Sequence, residues 1–147
     1  MINVELYPSN FNYLGIKYNI IQITKDNYNQ HIFLIKRVIQ NFNDEIQWDG
    51  MFDLKESIER FLKGMVMYIG IMNNQPFGYL WFEEIENKFK IFNVFVRNNV
   101  EIKNYNGQEF VSDIIDRFYK DKFIFAEIDE WNTKSIKMFL KLGFVII

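Results

Sequence analysis

The stretch that decides the fold is Asn132-Thr133-Lys134-Ser135-Ile136-Lys137-Met138-Phe139-Leu140-Lys141-Leu142-Gly143-Phe144, placed directly after an apolar run from Lys122 to Ile128. It reads as one short helix with both ends marked. Asn132 is a good N-cap, and Trp131 before it is spaced to staple against Ile136. Lys141 suits the negative end of the helix dipole. Gly143 stands at the left-handed position that closes a helix, and Phe144 beyond it can pack back on Phe139. A strand therefore feeds a capped helix, and a further short strand is expected from Phe144 to Ile147.

Working back from this run, the chain divides into alternating elements without a linker, repeat or low-complexity tract. Tyr18 to Thr24 alternates as a strand, and Asp26 to Phe42 places Tyr28, Ile32, Ile35, Ile39 and Phe42 on one helical face. Asp53 with Glu56 forms a capping box that opens a helix burying Leu54, Ile58, Phe61 and Leu62 before Gly64. Met65–Met72, Phe77–Ile85 and Phe89–Val96 are three apolar stretches separated by Asn73-Asn74-Gln75-Pro76 and Glu86-Asn87-Lys88, which predicts an antiparallel meander. A polar loop from Arg97 to Asn106 leads to a helix with Phe110, Val111, Ile114, Ile115 and Phe118 facing inward. The reading is one α/β (α+β) domain over residues 1–147, with a mixed, mostly antiparallel central sheet flanked by helices.

The closing run resembles the last conserved motif of the GCN5-related N-acetyltransferase (GNAT) superfamily. That pattern has an Asn, Ala-Ile three and four residues on, Leu and Tyr at six and seven, Lys at nine and Gly-Phe at eleven and twelve. Asn132, Ile136, Lys141, Gly143 and Phe144 match; Ser135 stands for Ala, Met138 for Leu, and Phe139 where the Tyr that acts as acid is expected. The order of elements from about Tyr18 onward is also that of the family. The resemblance implies a wedge between the strand Phe89–Val96 and the strand Lys122–Ile128, where the pantetheine arm of acetyl-CoA lies. It assigns the backbone of Val94, Phe95 and Val96 to pair with that arm, and Asn132 to the same cofactor.

The family's diphosphate loop is Gln/Arg-x-x-Gly-x-Gly/Ala, whose amides at a helix N-terminus bind the anion. The corresponding stretch here is Glu101-Ile102-Lys103-Asn104-Tyr105-Asn106-Gly107-Gln108-Glu109. Aligning Gly107 with the last glycine keeps the following helix in register and implies Asn104, Tyr105, Asn106, Gly107 and Gln108 as the diphosphate contacts. A plain Asn-Gly turn before a helix accounts for the same dipeptide.

Amine acetylation needs a base for the amine, a polarised thioester carbonyl and a proton source for the thiolate. Glu127 lies five residues before Asn132 in an otherwise apolar strand, where the ribosomal-protein N-terminal acetyltransferase branch carries its catalytic Glu. It is the candidate base, its proton affinity expected to be raised by desolvation. Glu83 and Glu84 follow it. Water, Tyr105 or direct thiolate release would replace the missing Tyr. The acidic and aromatic segment Asn41–Phe52 lies where the family recognises its acceptor, and its composition suits a cationic amine.

Composition narrows the alternatives. The chain has no cysteine and one histidine, His31, so thiol chemistry is excluded and neither a His cluster nor a metal site is expected. A net charge of -2 from 17 basic and 19 acidic residues gives no stripe for a phosphate backbone, so nucleic acid is not the expected partner. No apolar run long enough to span a bilayer and no leader pattern is found, so a cytoplasmic protein without membrane contact is expected.

The functional reading is an acetyl-CoA-dependent N-acetyltransferase acting on a small amine, amino sugar or peptide N-terminus. The alternatives are a non-catalytic protein that keeps the fold for binding or assembly, and an unrelated α/β binding protein. The family's C-terminal strand pair is truncated at Ile147, which leaves an apolar edge to be covered by a homodimer partner or by Ile2 to Tyr7 folding back.

Overall fold

The computed structural model describes residues 1–6, 18–46, 53–97 and 107–147. In chain order the elements are β1 (Ile2–Leu6), β2 (Asn19–Ile23), a 3-10 turn (Tyr28–His31), α1 (Ile32–Ile46), α2 (Leu54–Leu62), β3 (Val66–Met72), β4 (Gln75–Ile85) and β5 (Lys88–Val96). They are followed by α3 (Gly107–Phe118), β6 (Ile124–Ile128), α4 (Thr133–Lys141) and β7 (Val145–Ile146). Among the described residues no helix is long and apolar enough to cross a membrane.

The seven strands form one sheet in the order β2-β3-β4-β5-β6-β1-β7. β2 pairs antiparallel with β3, and β3, β4 and β5 make the antiparallel meander that the sequence pattern predicts. Its two hairpins turn on Asn73-Asn74 and Glu86-Asn87, all four residues having positive φ. Two successive left-handed residues give the turn twist that matches a hairpin, and asparagine tolerates that conformation best among non-glycine residues. β6 runs parallel to β5, the crossover between them carrying α3.

β4 is buried from Pro76 to Phe82 because both faces of the sheet are covered there. On one face Ile35, Val38, Ile39 and Phe42 of α1 and Phe61 of α2 pack on Met67, Ile69, Tyr79, Trp81 and Phe95. On the other, Phe110, Val111, Ile114 and Ile115 of α3 and Phe139 of α4 pack on Tyr68, Leu80, Phe82, Ile91 and Ile124. Burying these side chains stabilises the fold by about 1.5–3 kcal/mol each, before the entropy cost of ordering them.

Helix ends follow the sequence signals closely. Asp53 caps α2 by accepting from the Glu56 N–H, and Asn132 caps α4 by accepting from the Ser135 N–H. Gly64 and Gly143 hold φ of 96° and 97°, and in each case the next residue donates back across the last turn, Met65 to Arg60 and Phe144 to Phe139. This is the double-bonded left-handed closure that glycine permits without steric cost.

Several expectations change. The first helix begins at Ile32, not Asp26, because residues 28–31 wind more tightly. Leu62 is 61% exposed and Phe118 39% exposed, so the inward faces of α2 and α3 are narrower than predicted. Trp131 is 76% exposed, and the staple on Ile136 does not form. In α3 the helical period instead buries Asp113, which accepts from the Tyr18 hydroxyl at 2.6 Å and pairs with Arg117 at 2.8 Å.

The irregular opening expected before Tyr18 contains β1, which pairs antiparallel with β6 over Ile2↔Ile128 to Leu6↔Ile124. On its other side it pairs with β7 through Val4↔Ile146 and Glu5↔Val145. The segment expected to fold back on the C-terminal strand thus pairs with it on one side, and β7 is the end strand of the sheet.

Candidate active site

β5 and β6 pair only at their starts. The parallel register runs Phe89↔Ile124, Lys90↔Phe125 and Ile91↔Ala126, and then stops. β5 continues on β4 as far as Gly78↔Val96, whereas β6 stays with β1 up to Ile128. Beyond Ile91 the two strands have separated, and a wedge opens between them.

A β-bulge sits at the point of separation. Phe82 pairs with Ile91 but Trp81 pairs with Asn93, so Phe92 is the extra residue on β5. Before the bulge the odd positions Phe89 and Ile91 face the α3/α4 core; after it the even positions Val94 and Val96 do, while Phe95 joins the α1/α2 core. The same step reverses the backbone. The Arg97 N–H donates to the Phe77 carbonyl of β4 at 2.8 Å. By strand alternation the Phe95 amide turns the same way, and the peptide groups of Val94 and Val96 turn away from β4, toward the wedge. An insertion of one residue thus aims two backbone groups into the gap.

α3 starts at Gly107, whose N–H lies at the positive end of the helix dipole. Gln108 is half-buried in that first turn, and Glu109 follows it. A carboxylate there suits the dipole but opposes an anion at the same end. Asn104, Tyr105 and Asn106 lie outside the described residues, as do residues 47–52 of the expected acceptor segment. Asn132 uses its side chain as the cap of α4, at 3.3 Å from the Ser135 N–H.

Glu127 projects from β6 on the face opposite Ile124, Ala126 and Ile128, whose side chains enter the α3/α4 core. It is one step past the last β5–β6 pair, beside the bulge. Its carboxylate lies 3.6 Å from the Lys90 ammonium, and its side chain is 41% exposed. The side chain is thus more open to water than a place in an apolar strand implies. Glu83 stands opposite Lys90 in the β4–β5 register, and Glu84 is exposed. Phe139 is buried, its ring 5.0 Å from that of Phe144, and offers no proton.

On the same face as Glu127, the α1–α2 pair packs on the sheet. The Tyr79 ring is enclosed by Phe42 and Phe95 at centroid distances of 6.0 and 5.9 Å. Its hydroxyl is buried without a hydrogen-bond partner among the described residues, and so is Asn93 Oδ1. Burial pushes the Tyr79 hydroxyl well above the ordinary tyrosine range, with the Arg60 charge pulling weakly the other way. Arg60 lies over the Phe92 ring at 5.0 Å and reaches Glu56 at 3.8 Å. Arg97 pairs with Glu45 of α1 at 3.5 Å. Sequence reading did not single out Tyr79, Asn93 or Arg60. The available signal was Asn93, a polar residue inside the apolar run of β5.

No family of sequences matches the chain, and no characterised protein matches it by sequence. Solved structures do. A conserved protein of unknown function from Staphylococcus epidermidis superposes with a TM-score of 0.66 at 17% identity, over 99% of this chain. This chain spans only 57% of that protein's length. A GNAT-family acetyltransferase from Bacillus cereus superposes at TM-score 0.59 and 16% identity, covering 88% of this chain and 84% of that one. AAC(6')-Iy, solved with a CoA-linked bisubstrate analogue, gives 0.56 at 16% identity over 88% of this chain and 92% of its own. The fold is that of the GNAT acetyltransferases. The wedge, the bulge and the parallel β5–β6 start all belong to the region in which the superfamily's resemblance was read from the sequence.

Proposed function

We propose that this protein is an acetyl-CoA-dependent N-acetyltransferase that acts on a primary amine. The observation that carries the reading is the parting of β5 and β6 after Ile91↔Ala126, with the Val94 and Val96 peptide groups aimed into the gap. Unpaired backbone groups in a buried gap need a partner, and an extended amide-bearing arm supplies one as an added strand would. The likeness to acetyltransferases, one of them solved with a CoA-linked ligand, supports the same reading.

Acetyl-CoA, when bound, supplies an acetyl group activated as a thioester. The chain's own residues do the rest. Val94 and Val96 hold the arm, and the start of α3 at Gly107 and Gln108 meets the diphosphate. Glu127, on the open face beside the wedge, takes up the proton that the amine must lose. Lys90 pairs with the carboxylate at 3.6 Å and holds it in place. Phe139 is buried and has no proton to give, so water protonates the departing thiolate, whose conjugate acid has a pKa of about 8.5 and which is a tolerable leaving group.

The test is titration with acetyl-CoA followed by thermal unfolding. At a hundredfold excess over the dissociation constant the ligand should stabilise the fold by about 2.7 kcal/mol. No shift at millimolar acetyl-CoA would remove the cofactor and with it the enzyme reading. A shift without thiol release in the presence of any amine would favour a protein that keeps the fold for binding.

A further inference from the structure

α2 grips the bulge through two neighbouring side chains. On β4 the Phe61 ring lies 4.7 Å from that of Trp81, which pairs with Asn93 just past the extra residue. On β5 Arg60, one residue earlier in the helix, holds its guanidinium 5.0 Å from the centre of the Phe92 ring. Phe92 is the extra residue itself, 36% exposed and with no residue opposite it in the β4–β5 ladder. It also stands first after the last β5–β6 pair, where the strands part.

Arg60 is well anchored for this contact. It lies in the last turn of α2, where a cation suits the negative end of the helix dipole, and Glu56 one turn back meets it at 3.8 Å. Its side chain is only 21% exposed, so its attraction to the ring face is stronger than it would be in open water. A bulge has to be held in place, because moving it by one residue turns the residue it passes to the opposite face of the sheet. Ile91 and Val94 resist such a slip from the α3/α4 core. On the other face the contact of Arg60 with Phe92 resists it.

We propose that Arg60 is a positioning residue for the cofactor: by clamping Phe92 it fixes the bulge on β5, and with it the direction of the Val94 and Val96 peptide groups. The role in cofactor binding rests on the acetyl-transfer reading. The clamp rests on the contacts alone.

Amide hydrogen exchange in the ligand-free protein tests the clamp. The Arg97 N–H donates to the Phe77 carbonyl on the far side of the bulge, and the Phe95 amide turns the same way. Arg60→Met should speed exchange at these two amides about fivefold, the size of one partly desolvated cation–aromatic contact, and leave the β2–β3 amides unchanged. Arg60→Lys, which keeps a cation over the ring, should restore most of the protection. No change at Phe95 and Arg97, or an equal rise across the whole sheet, would overturn the proposal. Calorimetric titration with acetyl-CoA tests the consequence. Arg60→Met and Phe92→Leu should each raise Kd about fivefold, and the double variant should lose no more than either alone, since both remove the same contact. Losses that add would make Arg60 a charge acting on the anionic cofactor from a distance, and would overturn the positioning role. Failure of the wild type to bind acetyl-CoA would sink the acetyl-transfer reading and the positioning role together, while the exchange result still decides whether Arg60 fixes the bulge.

Discussion

Ile91 and Val94 are three residues apart on one strand and yet face the same core. A regular strand would send them to opposite faces, and only the extra residue at Phe92 reconciles them. The wedge depends on that irregularity, because the reversal of side chains is also the reversal of the backbone groups that line it.

Gly78 guards this geometry from the neighbouring strand. A Cβ there would lie 2.5 Å from the Phe95 carbonyl oxygen and 3.2 Å from Val96 Cα, so β5 would have to move. Gly78→Ala should cost about 1–3 kcal/mol in urea unfolding, as overpacking does. It should also weaken acetyl-CoA more than the stability loss explains. Unchanged affinity would separate the wedge from cofactor binding.

Glu127→Gln removes the candidate base while keeping its shape. Turnover should fall on the order of a hundredfold with acetyl-CoA affinity preserved. Stability should change by less than about 1 kcal/mol, since the pair with Lys90 is exposed to water. Full activity in the variant would pass the role to Glu83 or Glu84.

Asp113 is buried and holds both Tyr18 and Arg117. Asp113→Ala would take this acceptor from the Tyr18 hydroxyl and the partner from Arg117, and should cost about 2–3 kcal/mol. Tyr18→Phe added to it should recover part of that loss. Strict additivity of the two substitutions in denaturant melts would argue against the coupling.

Two tyrosines on the α3 face contribute to the alkaline limit, beside Tyr79 on the other face. Burial raises Tyr68 above its ordinary 10.0, despite its bonds with Tyr119 and Gln22. Burial also raises Tyr119, and its bond with Tyr68 adds to the rise. A phenol whose folded pKa exceeds its unfolded value contributes stability that is complete below the unfolded pKa and lost as pH rises toward the folded one. Unfolding temperature should therefore be level in this respect below about pH 10 and fall above it. Tyr68→Phe with Tyr119→Phe should flatten that fall; a pH profile of equal steepness would show that the pair is not its source.

Much of the fold was legible because its signals are local. Asp53, Asn132, Gly64 and Gly143 mark helix ends by satisfying backbone groups within one turn, and the meander follows from three apolar runs between turn residues. The parting of β5 and β6 was anticipated only through family likeness, since backbone pairing leaves no mark in side chains. The buried Asn93 Oδ1 escaped notice because it depends on the bulge: read as a regular strand, β5 puts Asn93 on the wrong face. The burial of Asp113 was missed because a charged residue at a helix position counts as outward unless its partner, Tyr18, is known to lie beneath. β1 was anticipated only as one of two covers for the C-terminal edge and not as a strand of the pattern, for a different reason. Its partners Ile128 and Ile146 are at the far end of the sequence, and no local pattern reports them.

That pairing bears on how the protein reaches its folded state. Ile2 meets Ile128 across nearly the whole sequence, so this contact carries a large loop-closure entropy and cannot nucleate anything. The hairpins of β3, β4 and β5 are local and should form early, leaving the first strand idle until β6 exists to receive it. β7 in turn has no strand to dock on until β1 is seated. The half of the sheet that closes the wedge should thus assemble last, and an early kinetic species should hold the meander with its first and last strands still unpaired and open to association.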